Sequence, residues 1–171
     1  YVAEIAGGVR IGIINVMGRI FMNPLDNPFQ TVCDEIAQLR SEQNPRIILV
    51  DIHAEATSEK KAMGWHLDGE VTAVVGTHTH VQTADEQILP KGTAYITDVG
   101  MTGPHDSIIG VEVRPALRRF IDGLPARFDT ATNNPRLNAV IVSADTMTGR
   151  ATRIERLDFS AEDIDALAVT P

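Results

Sequence analysis

The chain of 171 residues holds a single cysteine, Cys33, so no disulfide can form within it. A lone thiol fits a reducing compartment, and a cytoplasmic location is expected. Basic residues are scarce too: 15 Lys and Arg against 23 Asp and Glu leave a formal net charge of −8. A broad nucleic-acid surface needs clustered Lys and Arg, so that class is excluded. A phosphate-bearing small molecule would then depend on local metal charge and not on the field of the whole protein. No apolar run approaches the roughly 20 residues of a membrane-crossing helix, and no signal-peptide pattern is present. Internal repeats and low-complexity tracts are absent as well. What remains is 43% hydrophobic, enough at this length for one domain with a real core.

Histidine placement stands out within that composition. Val71 to Val81 is a run of β-branched and small apolar residues carrying Gly76, His78 and His80, which reads as a buried strand. If the extended conformation persists to His80, residues two apart share a face and both imidazoles project together. Arg46 to His53 is a second apolar strand ending in a histidine, and a helix starting near Thr57 or Ser58 separates the two strands. Strand, helix and strand make a βαβ unit, whose right-handed crossover brings the carboxyl ends of parallel strands to one edge. Open α/β sheets place their ligands at that edge. Three histidines there, His53, His78 and His80, suit a borderline metal such as Zn, Fe or Mn. Asp51 is either an outer partner orienting an imidazole or a buried polar residue closing a turn. Glu55 is either an outer-shell or substrate contact or a solvated loop carboxylate.

Three segments, "INVMGRIFMNPLDNPF", "DIHAEATSEKKAMGW" and "VVGTHTHVQTADEQILPKGTAYITDVGMTGPHDSIIG", carry a more specific signal. Together they resemble the YmdB-type branch of the calcineurin-like metallophosphoesterases, from about Val9 to Leu157. The resemblance implies a layered α/β metallophosphoesterase domain, with mixed sheets flanked by helices. It implies a phosphodiesterase acting on small cyclic nucleotides such as 2′,3′-cAMP, with two divalent or transition metal ions, Fe or Mn in first place and Zn in second. His80 would serve one ion, and His53 and His78 the other. The family's aspartate, glutamate-asparagine and Gly-Asn-His segments do not occur here, and the chain opens on Tyr1. The amino-terminal part is therefore expected to be missing, together with the carboxylate and amide ligands and the general acid. The chain taken alone is expected to be inactive, and pairing with that missing half, or a homo-oligomer, is anticipated. A CapA-type branch of the same superfamily shares the Gly-x-His-x-His segment, but "HAEATSEK" argues against it. A non-catalytic metal-binding or regulatory module is the alternative from a different class.

The remaining segments read as scaffold. Residues 1–17 suggest a hairpin around Gly7-Gly8. Gly18 to Phe29 reads as a loop in which Arg19 is an ordinary surface arginine. Residues 31–43 read as a helix capped by Thr31, with Val32, Ile36 and Leu39 inward and Cys33 packing beside them. Glu59 should favour the dipole of the next helix, which carries His66 exposed or packed beside Trp65 and stops near Asp68-Gly69. Residues 93–99 form another strand, leading into a glycine-rich segment where His105 either contacts substrate or transfers a proton, or has no site role. Residues 114–124 form an amphipathic helix, and 137–144 with 151–159 form a hairpin around Gly149. The domain is expected to span 1–159, with 160–171 an acidic tail holding one helical turn.

Overall fold

Gly7 and Gly8, at φ of +84° and +74°, reverse the chain between β1 (Val2–Ile5) and β2 (Val9–Met17). Two successive left-handed residues match the twist of so tight a hairpin. In this computed structural model, which describes residues 1–168, β2 has β3 (Ile47–His53) as its parallel neighbour. Beyond β3 lie β4 (Ala73–Thr77), β5 (Gln87–Ile88) and β6 (Ala94–Ile96), giving the sheet order β1-β2-β3-β4-β6-β5. The inner four strands are parallel, and β1 and β5 close the edges antiparallel.

α1 (Pro28–Glu42) and α2 (Thr57–His66) are the crossovers, and both cover one sheet face. Val32, Ile36 and Leu39 from α1 pack with Met63 and Leu67 against Ile14, Val16, Ile48, Val50, Ile52 and Val74. Each such side chain removed from water contributes about 1.5–3 kcal/mol. The alternate residues of β3, Leu49, Asp51 and His53, point to the other face and are half-buried. A second sheet, β7 (Gly103–Pro104), β8 (Pro135–Ala144) and β9 (Ala151–Ser160), covers part of that face. There Val142 and Ile154 pack with Leu49 against Ala73, Ala94 and Ala151. The architecture is mixed α/β, with two sheets flanked by helices, as the resemblance implied.

Several local expectations are corrected. α1 starts at Pro28, capped by Asn27, whose Oδ1 accepts the Phe29 amide at 3.1 Å; Thr31 caps nothing. Proline at the first helical position loses no hydrogen bond, so Asn27-Pro28 is a helix start and not a loop. α2 begins without a side-chain cap and ends at His66. Glu59 does stand in the first turn of α2, and it is also buried, its oxygens taking the amides of Arg19 and Ile20 at 2.9 and 3.4 Å, so it anchors the preceding loop as well. His66 is exposed and meets Cys33 Sγ at 3.2 Å and the Phe29 ring edge-on.

α3 (Val113–Asp122) ends on Gly123 at φ +68°, but its apolar side stays in water. Leu117, Phe120 and Ile121 are exposed, and only Ala116 is buried. α4 (Ala161–Ala168) follows β9 directly; the tail beyond 168 lies outside the described residues.

Candidate functional site

Register places the site. Met17 of β2, His53 of β3 and Thr77 of β4 lie on one rung of the parallel sheet, with Asn15, Asp51 and Val75 two residues earlier on each strand. Side chains two residues apart share a face, so Asn15, Asp51, His53 and Thr77 all stand on the face away from the helices. Asn15 Nδ2 donates to Asp51 Oδ2 at 2.7 Å, and Thr77 Oγ1 donates to Asp51 Oδ1 at 2.8 Å. His53 Nδ1 meets the same Thr77 hydroxyl at 3.0 Å. That hydroxyl has one proton, already given to Asp51, so it accepts from His53. His53 therefore carries its proton on Nδ1 and presents the Nε2 lone pair outward. Asp51 thus stands one hydroxyl away from the His53 ring, in contact with Thr77 and not with the imidazole itself.

His53 Nε2 faces His78 Nδ1 at 3.1 Å, with the rings nearly perpendicular. On its far side, His78 Nε2 lies 2.9 Å from Glu55 Oε2, which joins Glu55 to the pair. The extended conformation does not persist through His80. β4 stops at Thr77, and His78 and His80 take φ of +108° and +64°. Those angles turn the two rings apart, so the pair sharing a wall is His53 with His78. His80 Nδ1 instead donates to the Ile109 carbonyl at 3.0 Å, which leaves its Nε2 lone pair free of a proton in the neutral ring. Among the described residues, no group of three or more His, Cys, Asp or Glu side chains gathers closely enough to hold a metal ion.

His105 lies with the second sheet. Its Nδ1 meets the Gly103 carbonyl and its Nε2 meets Asn138 Oδ1, both at 3.0 Å, so both nitrogens face acceptors. Asn138 donates in turn to Asp158 at 3.0 Å, and Arg136 pairs with the same carboxylate at 2.7 Å. The Arg136 bond outweighs burial and, with the nearby charge of Arg136 and His105, holds the Asp158 carboxyl below its usual range. Arg19 is exposed, and its amide, not its guanidinium, is the group Glu59 engages.

The donor chemistry of the histidine pair fits a transition metal. Two ring nitrogens bound to one ion at bond lengths of about 2.0–2.1 Å sit about 3.0–3.4 Å apart, and His53 and His78 are within that spacing at 3.1 Å. A neutral imidazole whose other nitrogen donates to a hydroxyl or carbonyl is the usual form of a ligand histidine, and His53 and His80 both have it. Thr77 and Asn15 were not singled out from sequence. Their link to Asp51 becomes visible only once strand register is known.

A family model described as YmdB-like protein matches residues 1–157. Over 152 residues, the chain is 51% identical to a Bacillus subtilis (strain 168) protein named 2′,3′-cyclic-nucleotide 2′-phosphodiesterase, covering 89% of this chain and 57% of that protein. The solved structure of a hypothetical protein from Thermus thermophilus superposes with a TM-score of 0.86 at 44% identity, over 94% of this chain and 61% of that one. A structure described as a novel phosphatase from Mycoplasma pneumoniae gives 0.83 at 36% identity, over 99% and 60%. The chain thus spans somewhat more than half the length of these relatives.

Proposed function

The chain belongs to the YmdB-like protein family, and from that premise we propose that it forms the histidine-bearing part of a metal-dependent phosphodiesterase for cyclic nucleotides such as 2′,3′-cAMP. The observation that carries this reading is the His53–His78 pair at adjacent parallel strand ends, with the His53 tautomer set by Thr77 and Asp51. The cyclic-nucleotide name borne by the Bacillus subtilis relative supports the substrate class.

His53 through Nε2 and His78 through Nδ1 would hold one ion, and His80 through Nε2 a second, with Fe or Mn favoured and Zn next. Metal ions at such a site supply Lewis-acid stabilisation of charge on the phosphoryl group and lower the pKa of water toward neutrality. This chain's share is to bind and orient. Asp51 and Thr77 fix the His53 ring, Asn15 holds the second oxygen of Asp51, and Glu55 fixes the far nitrogen of His78. His105 is a substrate contact in this reading only if it leaves Gly103 or Asn138.

These 171 residues alone are proposed to bind metal without turnover, since neutral imidazoles provide no carboxylate to bridge two cations. The test is Mn-dependent hydrolysis of 2′,3′-cAMP by this chain joined to the additional segment its longer relatives carry, beside the same protein with His78→Ala. A rate that falls on substitution supports the assignment, and equal rates refute it. A single-ion or metal-free binding module is the second reading, favoured by the lack of a three-donor group among the described residues. Two equivalents of metal per chain would exclude it.

A further inference from the structure

A fully buried ion pair lies next to the histidine pair. Lys60 Nζ sits 2.7 Å from Asp98 Oδ2, and both side chains are fully buried. Taking two charges out of water is repaid only when the geometry is good and further hydrogen bonds satisfy the remaining lone pairs. Here the further bonds come from two residues, Thr79 and Gly100. Thr79 donates to Asp98 Oδ2 through both its amide (3.0 Å) and its hydroxyl (2.7 Å), and the Gly100 amide donates to Oδ1 at 2.9 Å. The lysine stem runs beneath the end of β4, where a Cβ on Gly76 would come within 2.8 Å of Lys60 Cδ.

Thr79 is the residue between His78 and His80, and both of those hold positive φ. Such backbone persists in residues other than glycine only where the surroundings over-determine it. The flanking contacts are few: His78 has His53 and Glu55, and His80 has one carbonyl. Asp98 is the group that grips the middle of the turn at two atoms, and Lys60, 2.7 Å from Asp98 Oδ2, is what holds that carboxylate in place.

We infer that Lys60 and Asp98 are positioning residues, a buried pair that sets the Thr77–His80 turn and so aims His78 at His53 and His80 at the opposite loop. Lys60 reaches this turn from α2 and Asp98 from the segment after β6, so the turn is tied to the scaffold from two directions. The consequence for metal binding rests on the reading proposed above; the consequence for the turn does not.

The test uses two variants of the chain. Lys60→Met with Asp98→Leu removes both charges together, leaving no lone buried ion, and the fold is expected to survive. Thr79→Val keeps the ion pair and removes only the hydroxyl bond. Exchange of the Thr79 amide should quicken about tenfold in the double variant, with Val74 unchanged. Imidazole nitrogen shifts of His78 and His80 should move in both variants, and Zn2+ affinity by calorimetry should fall about tenfold in the double variant, as when an outer-shell partner is lost. A folded double variant with wild-type Thr79 exchange and unmoved imidazole shifts would overturn the inference. Should the double variant fail to fold, unmoved shifts in Thr79→Val would overturn it equally. Faster exchange and moved shifts in a chain whose wild type binds no Zn2+ would uphold the positioning role and refute the metal reading.

Discussion

His78 Nδ1 lies 3.1 Å from His53 Nε2, the ring centroids 4.8 Å apart and the planes at 87°. The two residues are 25 positions apart in sequence; His53 ends β3 and His78 directly follows the parallel strand β4. Because Thr77 fixes the proton of His53 on Nδ1, the nitrogen facing His78 is a lone pair. A lone pair aimed at a second imidazole is either an acceptor for its N–H or half of a metal site.

Binding distinguishes those two states. His78→Ala is expected to weaken Mn2+ or Zn2+ binding by at least about tenfold while the fold is retained, because the side chain is only half-buried. Calorimetric titration of the wild type and the variant checks this. An unchanged affinity would place the metal elsewhere.

Asp51 should matter without touching metal. Asp51→Asn and Thr77→Val each break the relay that fixes the His53 tautomer, and each should cost about 10–100-fold in metal affinity. The same titration, with circular dichroism as a control for folding, reads the outcome. If Thr77→Val binds normally, the relay has no role.

Two glycines make contrasting stability predictions. A Cβ on Gly76 would overlap the Thr97 carbonyl, a backbone atom that cannot rotate aside, so Gly76→Ala should cost about 4 kcal/mol or more. On Gly64 the Cβ would press on the Tyr95 ring at 2.5 Å, and Gly64→Ala should cost about 1–3 kcal/mol as the ring shifts. Urea unfolding ranks the two, and a Gly76→Ala protein as stable as Gly64→Ala would contradict the packing.

Acid and alkali should each destabilise, for different reasons. Burial raises the Asp85 carboxyl, but bonds from the Thr97 and Thr83 hydroxyls and the Thr97 amide, with the charge of Lys61, more than offset it and leave it lowered. Asp158 is lowered too, by Arg136. A lowered folded pKa gives stability that is present above the unfolded value, about 3.9, and lost as pH falls through the folded one. Tyr95 is the reverse: burial pushes its hydroxyl up to about 12 from 10.0, so its contribution is complete below 10.0 and lost as pH rises toward 12. Urea midpoints should be flat from about pH 5 to 9 and fall on both sides. A Tyr95→Phe variant that shows the same alkaline loss would remove Tyr95 as its cause.

The apolar side of α3 should be dispensable to this chain. Phe120 and Ile121 are each 78% exposed, so Phe120→Ser or Ile121→Ser should change stability by less than about 0.5 kcal/mol. A large drop in Tm would show that the helix packs more tightly than its exposure indicates.

Much of the scaffold was legible in the residues themselves. β-Branched runs ending in histidine located β3 and β4, paired glycines located the first hairpin, and the spacing of Val32, Ile36 and Leu39 located α1, because these patterns are local and burial repeats with the period of the element. Periodicity located α3 too but not its burial: its apolar stripe is regular yet exposed among the described residues. It failed at caps, where Asn27 outcompeted Thr31 because Pro28 suits a first helical position.

The sequence by itself determined that three histidines stand at strand ends on one edge of an α/β sheet, since strand polarity and the crossover rule follow from composition and order alone. Only the tertiary structure decided which of them meet. Register put Thr77 beside His53 and Asn15 beside Asp51, and the positive φ of His78 and His80, gripped through Thr79 by a buried Asp98, turned one ring toward His53 and the other away. Those outcomes depend on contacts between residues 19 to 36 positions apart, a range over which local pattern carries no information.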